Sequence, residues 1–223
     1  MKSGIKAVVV LSGGQDSTTC LALAVKKYGA DRVAAITFRY GQRHARETRY
    51  ARAAARHFGV SLHQVVSLGF YRNLTTNALF DRTMKIGKKR GAACPTTFVD
   101  GRNMFFLLAA AVFAKGLGAQ ELWTGVSMTD FSGYPDCRAV FIRSCEKSLR
   151  LAMEWPFRIV TPMMRVTKEQ EWALADRLGI LAYIERHTLT CYNGIPGAGC
   201  GHCPACRLRA RGLAAYLAKR RGK

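Results

Sequence analysis

Two short stretches of the chain carry residue types that can do chemistry. In the first, Leu11-Ser12-Gly13-Gly14-Gln15-Asp16-Ser17-Thr18, a glycine-rich turn follows an apolar run and opens a helical pattern. Glycines let backbone N–H groups converge on an anion, and the start of the following helix adds a favourable dipole. Ser12 and Ser17 offer hydroxyl donors to phosphate oxygens. Asp16 beside a phosphate calls for a divalent cation between them, which points to ATP held with Mg²⁺. The turn lacks a Gly-Lys-Ser/Thr ending, so it is not a Walker A loop.

The second stretch is Cys191-x8-Cys200-x2-Cys203-x2-Cys206, four of the chain's eight cysteines within sixteen residues. Four thiolates suit tetrahedral Zn²⁺, and a complete protein ligand set leaves no position for water or substrate, so zinc here is expected to be structural. An iron–sulfur cluster is the rival reading, because thiolates alone do not separate the two metals. Cys20, Cys94, Cys137 and Cys145 are scattered. The pattern favours metal over disulfides in a cytosolic chain.

The elements around these stretches alternate. Ile5 to Leu11, Val33 to Tyr40 and Leu62 to Val66 read as strands. Thr18 to Tyr28 and Ala45 to Phe58 read as helices, stopped by Gly29 and Gly59. Apolar strands alternating with helices predict an α/β fold, a doubly wound and mostly parallel sheet covered on both faces. Ligands then bind at the strand ends where the chain turns into helices. A polar segment of about residues 69–98, with the basic run Lys85 to Arg90, interrupts the rhythm as an insertion. Helices follow near Asn103 to Lys115, Val140 to Met153 and Val166 to Leu178, with strands near Glu121 to Gly125 and Arg158 to Thr161. Arg207 to Leu217 reads as a final helix. The domain boundary is placed between 1–186 and a small C-terminal zinc-binding segment with its helix, 187–223.

Lys and Arg number 35 against 14 Asp and Glu, a net charge of +21 in 223 residues. Such a field attracts polyanions, so a nucleic acid or an anionic surface is a candidate partner. Apolar and charged fractions are those of an ordinary globular protein. The N-terminus lacks a signal-peptide core. The longest apolar run, Met104 to Ala114, is too short to span a bilayer and reads as a buried helix. These features predict a cytoplasmic protein with no membrane contact.

Three more loops fall at the same predicted sheet edge. Tyr40-Gly41-Gln42-Arg43-His44 follows the second strand and can hold adenine and ribose. Gly101-Arg102-Asn103 precedes a helix, where a cation and an amide can orient a phosphate or carboxylate. Thr129-Asp130-Phe131-Ser132-Gly133-Tyr134-Pro135-Asp136-Cys137-Arg138 mixes aromatic rings with acceptors and suits a flat, purine-like ring.

Ser-Gly-Gly-Xaa-Asp-Ser at 12–17 resembles the pyrophosphate loop of the PP-loop ATPases, whose fold is adenine nucleotide alpha hydrolase-like and whose members cleave ATP between its α and β phosphates. Together with Tyr-Gly-Gln-Arg-His at 40–44, Gly-Arg-Asn at 101–103, the 129–138 loop, Trp-Ala-Leu-Ala-Asp at 172–176 and Thr-Leu-Thr-Cys-Tyr-Asn-Gly at 188–194, it makes the chain resemble the 7-cyano-7-deazaguanine synthase (preQ0 synthase, QueC) family. Three places depart from that family's pattern: Arg39 where Asp is usual, Asp100 where Pro is usual, and the stretch around Lys85 to Arg90.

The resemblance implies an ATP-dependent carbon–nitrogen ligase of queuosine biosynthesis, often a homodimer. Its substrates would be 7-carboxy-7-deazaguanine, ammonia and ATP. Leu11, Ser12, Gly13, Gly14, Gln15, Asp16, Ser17 and Thr18, with Tyr40, Gln42 and His44, would serve the nucleotide. Arg102, Asn103, Asp130, Tyr134 and Asp136 would serve the deazapurine and its carboxylate. Asp16, Arg102 and Lys168 would be catalytic, the two cations by stabilising developing negative charge. A PP-loop enzyme that modifies tRNA, a relative that stops at the amide, and a zinc-containing nucleic-acid-binding module are the alternatives.

Overall fold

The computed structural model describes residues 4–42, 46–81, 83–87, 91, 94–128 and 134–222. Five parallel strands form one sheet in the order β3-β2-β1-β4-β5: β1 Ala7–Val10, β2 Val33–Arg39, β3 His63–Ser67, β4 Glu121–Thr124 and β5 Arg158–Val160. The chain runs outward from β1 to β3, then crosses to the other side for β4 and β5. The strand order therefore reverses between β1 and β4. In open α/β sheets, ligands bind in the crevice at such a reversal, beyond the carboxyl ends of the strands. The turn after β1 opens into that crevice.

Side chains alternate along each strand, so β1 divides its residues between two cores. Ala7 and Val9 face α1 (Gln15–Tyr28) and α2 (Arg46–His57), packing with Leu21, Ala24, Ala51 and Ala54. Val8 faces the other side, with Leu107, Ala110 and Ala114 of α3 (Arg102–Gly116) and Ile142, Cys145 and Leu149 of α4 (Ala139–Met153). Near-continuous apolar strands are what a sheet buried on both faces requires.

A third core lies beside α1. It joins Ala22 to Trp172 and Ala175 of α5 (Lys168–Arg177) and to Ile184 of α6 (Leu181–His187). The last helix, α7 (Pro204–Arg221), runs against α5, with Leu213 and Tyr216 on that core. At Gly212 a Cβ would stand 2.5 Å from that of Lys168, so α7 reaches the first turn of α5 directly.

The long apolar run is not buried all round. Leu107, Ala110, Ala111 and Ala114 of α3 are buried, but Met104, Leu108 and Val112 line its exposed face at four-residue spacing. One helix side can meet the sheet while the opposite side cannot. The 69–98 segment begins with a 3₁₀ turn at Gly69–Asn73 and packs Tyr71, Leu79 and Phe80 with the second core. Among the described residues no helix is long and apolar enough to cross a membrane.

Candidate active site

Two glycines bring the first turn of α1 into the crevice. Gly13 has φ +84°, and a Cβ there would lie 2.6 Å from Ala51 N and 2.9 Å from Glu47 O of α2. On the other side, a Cβ at Gly125 would lie 2.8 Å from Ser17 N. A larger residue at Gly13 would push the turn away from α2, and one at Gly125 would push α1 away from the strand ends.

The turn between them is internally bonded. Ser12 N–H donates to Ser17 Oγ at 3.1 Å, and Gly14 N–H donates to Ser12 Oγ at 3.3 Å. The Ser17 hydroxyl donates to Gly14 O at 3.2 Å and lies 3.0 Å from Ser12 Oγ. These serines therefore shape the turn in this state rather than stand open to a ligand. Gln15 is 1% exposed, and neither polar atom of its side chain finds a partner among the described residues.

The charge of Asp16 is met by a residue 152 positions away. Lys168 Nζ lies 2.6 Å from Asp16 Oδ1 and 2.8 Å from Glu171 Oε2. A capping box sets up this helix start: Thr167 Oγ1 accepts from Gln170 N–H, and Gln170 Oε1 accepts from Thr167 N–H. Lys168 and Glu171 are buried, whereas the Asp16 side chain is 26% exposed. Burial, with the Asp16 carboxylate beside it, pushes Glu171 up to about 8. The partly exposed Asp16 carboxylate is a hard oxygen donor at the crevice, which fits a Mg²⁺ completed by phosphate oxygens and water.

Across the crevice, Arg102 begins α3 behind Gly101, whose φ is +66°. Arg102 Nη1 donates to the Tyr40 hydroxyl at 3.4 Å, while its buried Nε has no partner among the described residues. Asp136 is 5% exposed and its carboxylate accepts from Asn103 N–H at 3.2 Å. Asn103 Nδ2 donates to Asp136 O at 3.1 Å, so Asn103 and Asp136 brace one another. Burial raises Asp136 and the Arg102 charge opposes the rise. Tyr134 stacks on Phe98, and its hydroxyl lies 2.5 Å from Thr97 Oγ1 and 3.3 Å from the Tyr192 hydroxyl.

Gln42 is also a brace. Its Oε1 accepts from Tyr40 N–H at 2.9 Å, and its Nε2 donates to Phe38 O and Glu47 Oε2, each at 3.4 Å. His44 and Asp130, expected at the nucleotide and the deazapurine, lie outside the described residues.

Glu47, Glu171, Tyr192, Thr190 and Arg209 also stand at this candidate site, and sequence reasoning does not single them out. Burial pushes Glu47 up to about 7 despite the nearby Arg102. Tyr192 and Thr190 flank Cys191 in the Thr-Leu-Thr-Cys-Tyr-Asn-Gly motif, but their type alone carries no role. Nothing in the local spacing marks Glu47, Glu171 or Arg209.

The four cysteines converge. Their Sγ atoms all lie within 4.8 Å of one another, with 3.3 Å between Cys203 and Cys206 and 3.9 Å between Cys200 and Cys206. A tetrahedron of Zn–S bonds has edges of about 3.8 Å, so the site fits zinc. Cys203 N–H and Asn193 Nδ2 each point at Cys200 Sγ at 3.4 Å, and such donors lower its thiol to about 6.

The family model for Queuosine biosynthesis protein QueC matches residues 6–217. The chain belongs to the QueC family. This QueC-family protein therefore joins an ATP-using PP-loop architecture of queuosine biosynthesis to a cysteine cluster able to hold zinc. Among solved structures it is similar to the NH3-dependent NAD synthetase from Campylobacter jejuni subsp. jejuni NCTC 11168 in complex with the nitrate ion. That likeness has 11% identity and a TM-score of 0.49, over 82% of this chain and 67% of the other.

Proposed function

We propose that the protein converts 7-carboxy-7-deazaguanine and ammonia to 7-cyano-7-deazaguanine at the expense of ATP, as a cytoplasmic enzyme. The observation that carries this reading is the placement of two complementary subsites on one sheet edge of a QueC-family chain. The phosphate loop with Asp16 and Lys168 stands on one side, and Arg102 with the Tyr40 hydroxyl stands on the other.

In this reading the substrate carboxylate attacks the α phosphorus of ATP, and pyrophosphate leaves. Ammonia displaces AMP from the acyl adenylate and loses a proton, giving the amide. The amide oxygen attacks a second ATP, with loss of pyrophosphate and an N–H proton. Departure of AMP and the remaining N–H proton leaves the nitrile. Adenylation converts a poor leaving oxygen into a good one, so the protein's task is positioning and charge neutralisation.

Lys168 and the α1 N-terminus meet the triphosphate charge. Arg102 meets the substrate carboxylate with its Nε, which has no partner among the described residues. Tyr134 and Tyr40 flank the flat ring. Asn103, Asp136 and Gln42 hold these groups in place. When bound, Mg²⁺ at Asp16 supplies neutralisation of phosphate charge. Zinc on Cys191, Cys200, Cys203 and Cys206 is structural, because four sulfurs fill its coordination. The exposed stripe of Met104, Leu108 and Val112 supports a homodimer, since an apolar stripe of this kind is usually covered.

The test is one incubation of zinc-loaded protein with ATP, Mg²⁺, ammonium and 7-carboxy-7-deazaguanine, followed by mass spectrometry. Nitrile is the expected product. Amide alone would replace this reading with a shorter reaction. No product from folded protein would overturn it and make RNA the next substrate, as the +21 charge suggests.

A further inference from the structure

The segment that carries the cysteines also touches the phosphate loop. Leu189 N–H donates to Gly13 O at 2.9 Å, and Gln15 N–H donates to Thr190 Oγ1 at 3.2 Å. Thr190 Oγ1 would lie 3.8 Å from a Cβ on Gly14, which places this hydroxyl beside the turn. Cys191 follows immediately, so the metal loop and the phosphate loop are joined at Thr190.

Arg209, three residues after Cys206, holds this junction from behind. It is 4% exposed and its guanidinium lies over the Trp172 ring. Its Nη1 donates to Thr188 Oγ1 at 2.8 Å and to Thr190 Oγ1 at 3.2 Å. Its Nη2 donates to Ile184 O at 2.7 Å and Glu185 O at 3.0 Å. The two threonines differ in one respect. Thr188 gives its own proton to Ile184 O at 2.6 Å. Thr190 accepts twice, from Gln15 N–H and from Arg209, and a hydroxyl has two acceptor lone pairs and one proton. Both acceptor positions are filled, so its proton is directed away from both donors. The buried Gln15 side chain has no partner among the described residues.

We infer that Thr190 is a phosphate-binding donor of the ATP site, supplied by the metal-bearing segment, and that Arg209 is the positioning residue that fixes it as a donor. The inference rests on the ATP reading given above. It makes the cysteine loop part of the nucleotide site without giving its metal any chemistry. An ordinary threonine beside a helix start can turn its hydroxyl to donate or accept. Here Arg209 removes that choice.

The test uses the full, zinc-loaded chain and measures binding of ATP and of inorganic pyrophosphate, with Mg²⁺, by calorimetry. Thr190→Val and Thr190→Ala are each expected to weaken both ligands by about tenfold or more, the effect of losing a hydrogen bond to a charged group. Thr190→Ser should keep the parent affinity. Zinc content should stay at the parent value in all three, which separates a lost donor from a collapsed loop, while the melting temperature without nucleotide should hold in the Ser variant and fall by a few degrees in Val and Ala, where Arg209 and Gln15 N–H lose an acceptor. Val and Ala variants that bind within twofold of the parent would overturn the inference. So would a Ser variant that fails as they do, or zinc loss that accompanies the weakened binding. If the parent itself binds neither ATP nor pyrophosphate, the ATP reading fails and the inference falls with it.

Discussion

The phosphate loop and the cysteine loop are both short, glycine-bearing turns, and they hold their shapes by different means. In the phosphate loop, hydroxyls and backbone groups of Ser12, Gly14 and Ser17 bond to each other, and α2 closes over Gly13. The cysteine loop places Gly194, Gly197, Gly199 and Gly201 at positive φ, with a few turn bonds such as Gly194 N–H to Cys191 O at 3.0 Å. Four glycines make such a loop costly to order, and what converges is sulfur. The first loop is held largely by its own bonds, while the second brings together four sulfurs able to hold a metal. Leu189 and Thr190 bond to the first loop, so the two loops are coupled.

The largest expected effect comes from breaking the metal-held loop. Structural zinc sites contribute on the order of 10 kcal/mol to the folding they enforce. Chelation should release the segment around 188–206 and weaken ATP binding by about tenfold or more, with most of the far-UV circular dichroism retained. Metal-free protein that binds ATP as well as the zinc form would show the two loops to be independent.

Next is Lys168→Ala, which strikes the other loop. It leaves Asp16 and the buried Glu171 without their shared cation, a loss of about 3 kcal/mol for an uncompensated buried charge. The cost should be read from urea unfolding at pH 8.5 and be smaller at pH 5, where Glu171, raised to about 8, holds a proton. Parent stability at the higher pH would contradict the ion pairing of Lys168 with buried Glu171.

Glu47→Gln should have a smaller effect, visible as a pH dependence. The Glu47 carboxyl is raised from 4.5 to about 7, so between these values the folded protein holds a proton that the unfolded chain has shed. Its contribution to stability therefore falls as pH rises through that window. The variant should lose less melting temperature than the parent between pH 5 and pH 8, and an equal loss would refute the assignment. The smallest effect belongs to Lys219→Ala, which removes an exposed pair with Glu169 at 2.5 Å. It should cost under about 1 kcal/mol, since the core contacts of α7 hold it in place.

The sheet and the two loops were legible because each has a local signature. β-branched runs mark the strands, paired glycines mark the turn, and the cysteine spacing marks the cluster. Boundaries were less so. α1 begins at Gln15 rather than Thr18, since Gly14 serves as its N-cap and the turn residues themselves become helical. α7 begins at Pro204, three residues before the expected start, because proline suits a first helical position. The seven residues of α6 lack a side-chain cap and were not expected as a helix. Lys168 was legible as a cation near the site, but its pairing with Asp16 depends on a tertiary contact across 152 residues. The same holds for Arg209, whose partners lie on residues 184–190.

The most direct measurement of the proposed reaction is a count of nucleotide products against nitrile formed, in the parent and in Asp16→Ala. The account predicts two AMP and two pyrophosphate for each nitrile, and no turnover in the variant. ADP and phosphate, or ATP consumption that ignores the deazapurine acid, would contradict it.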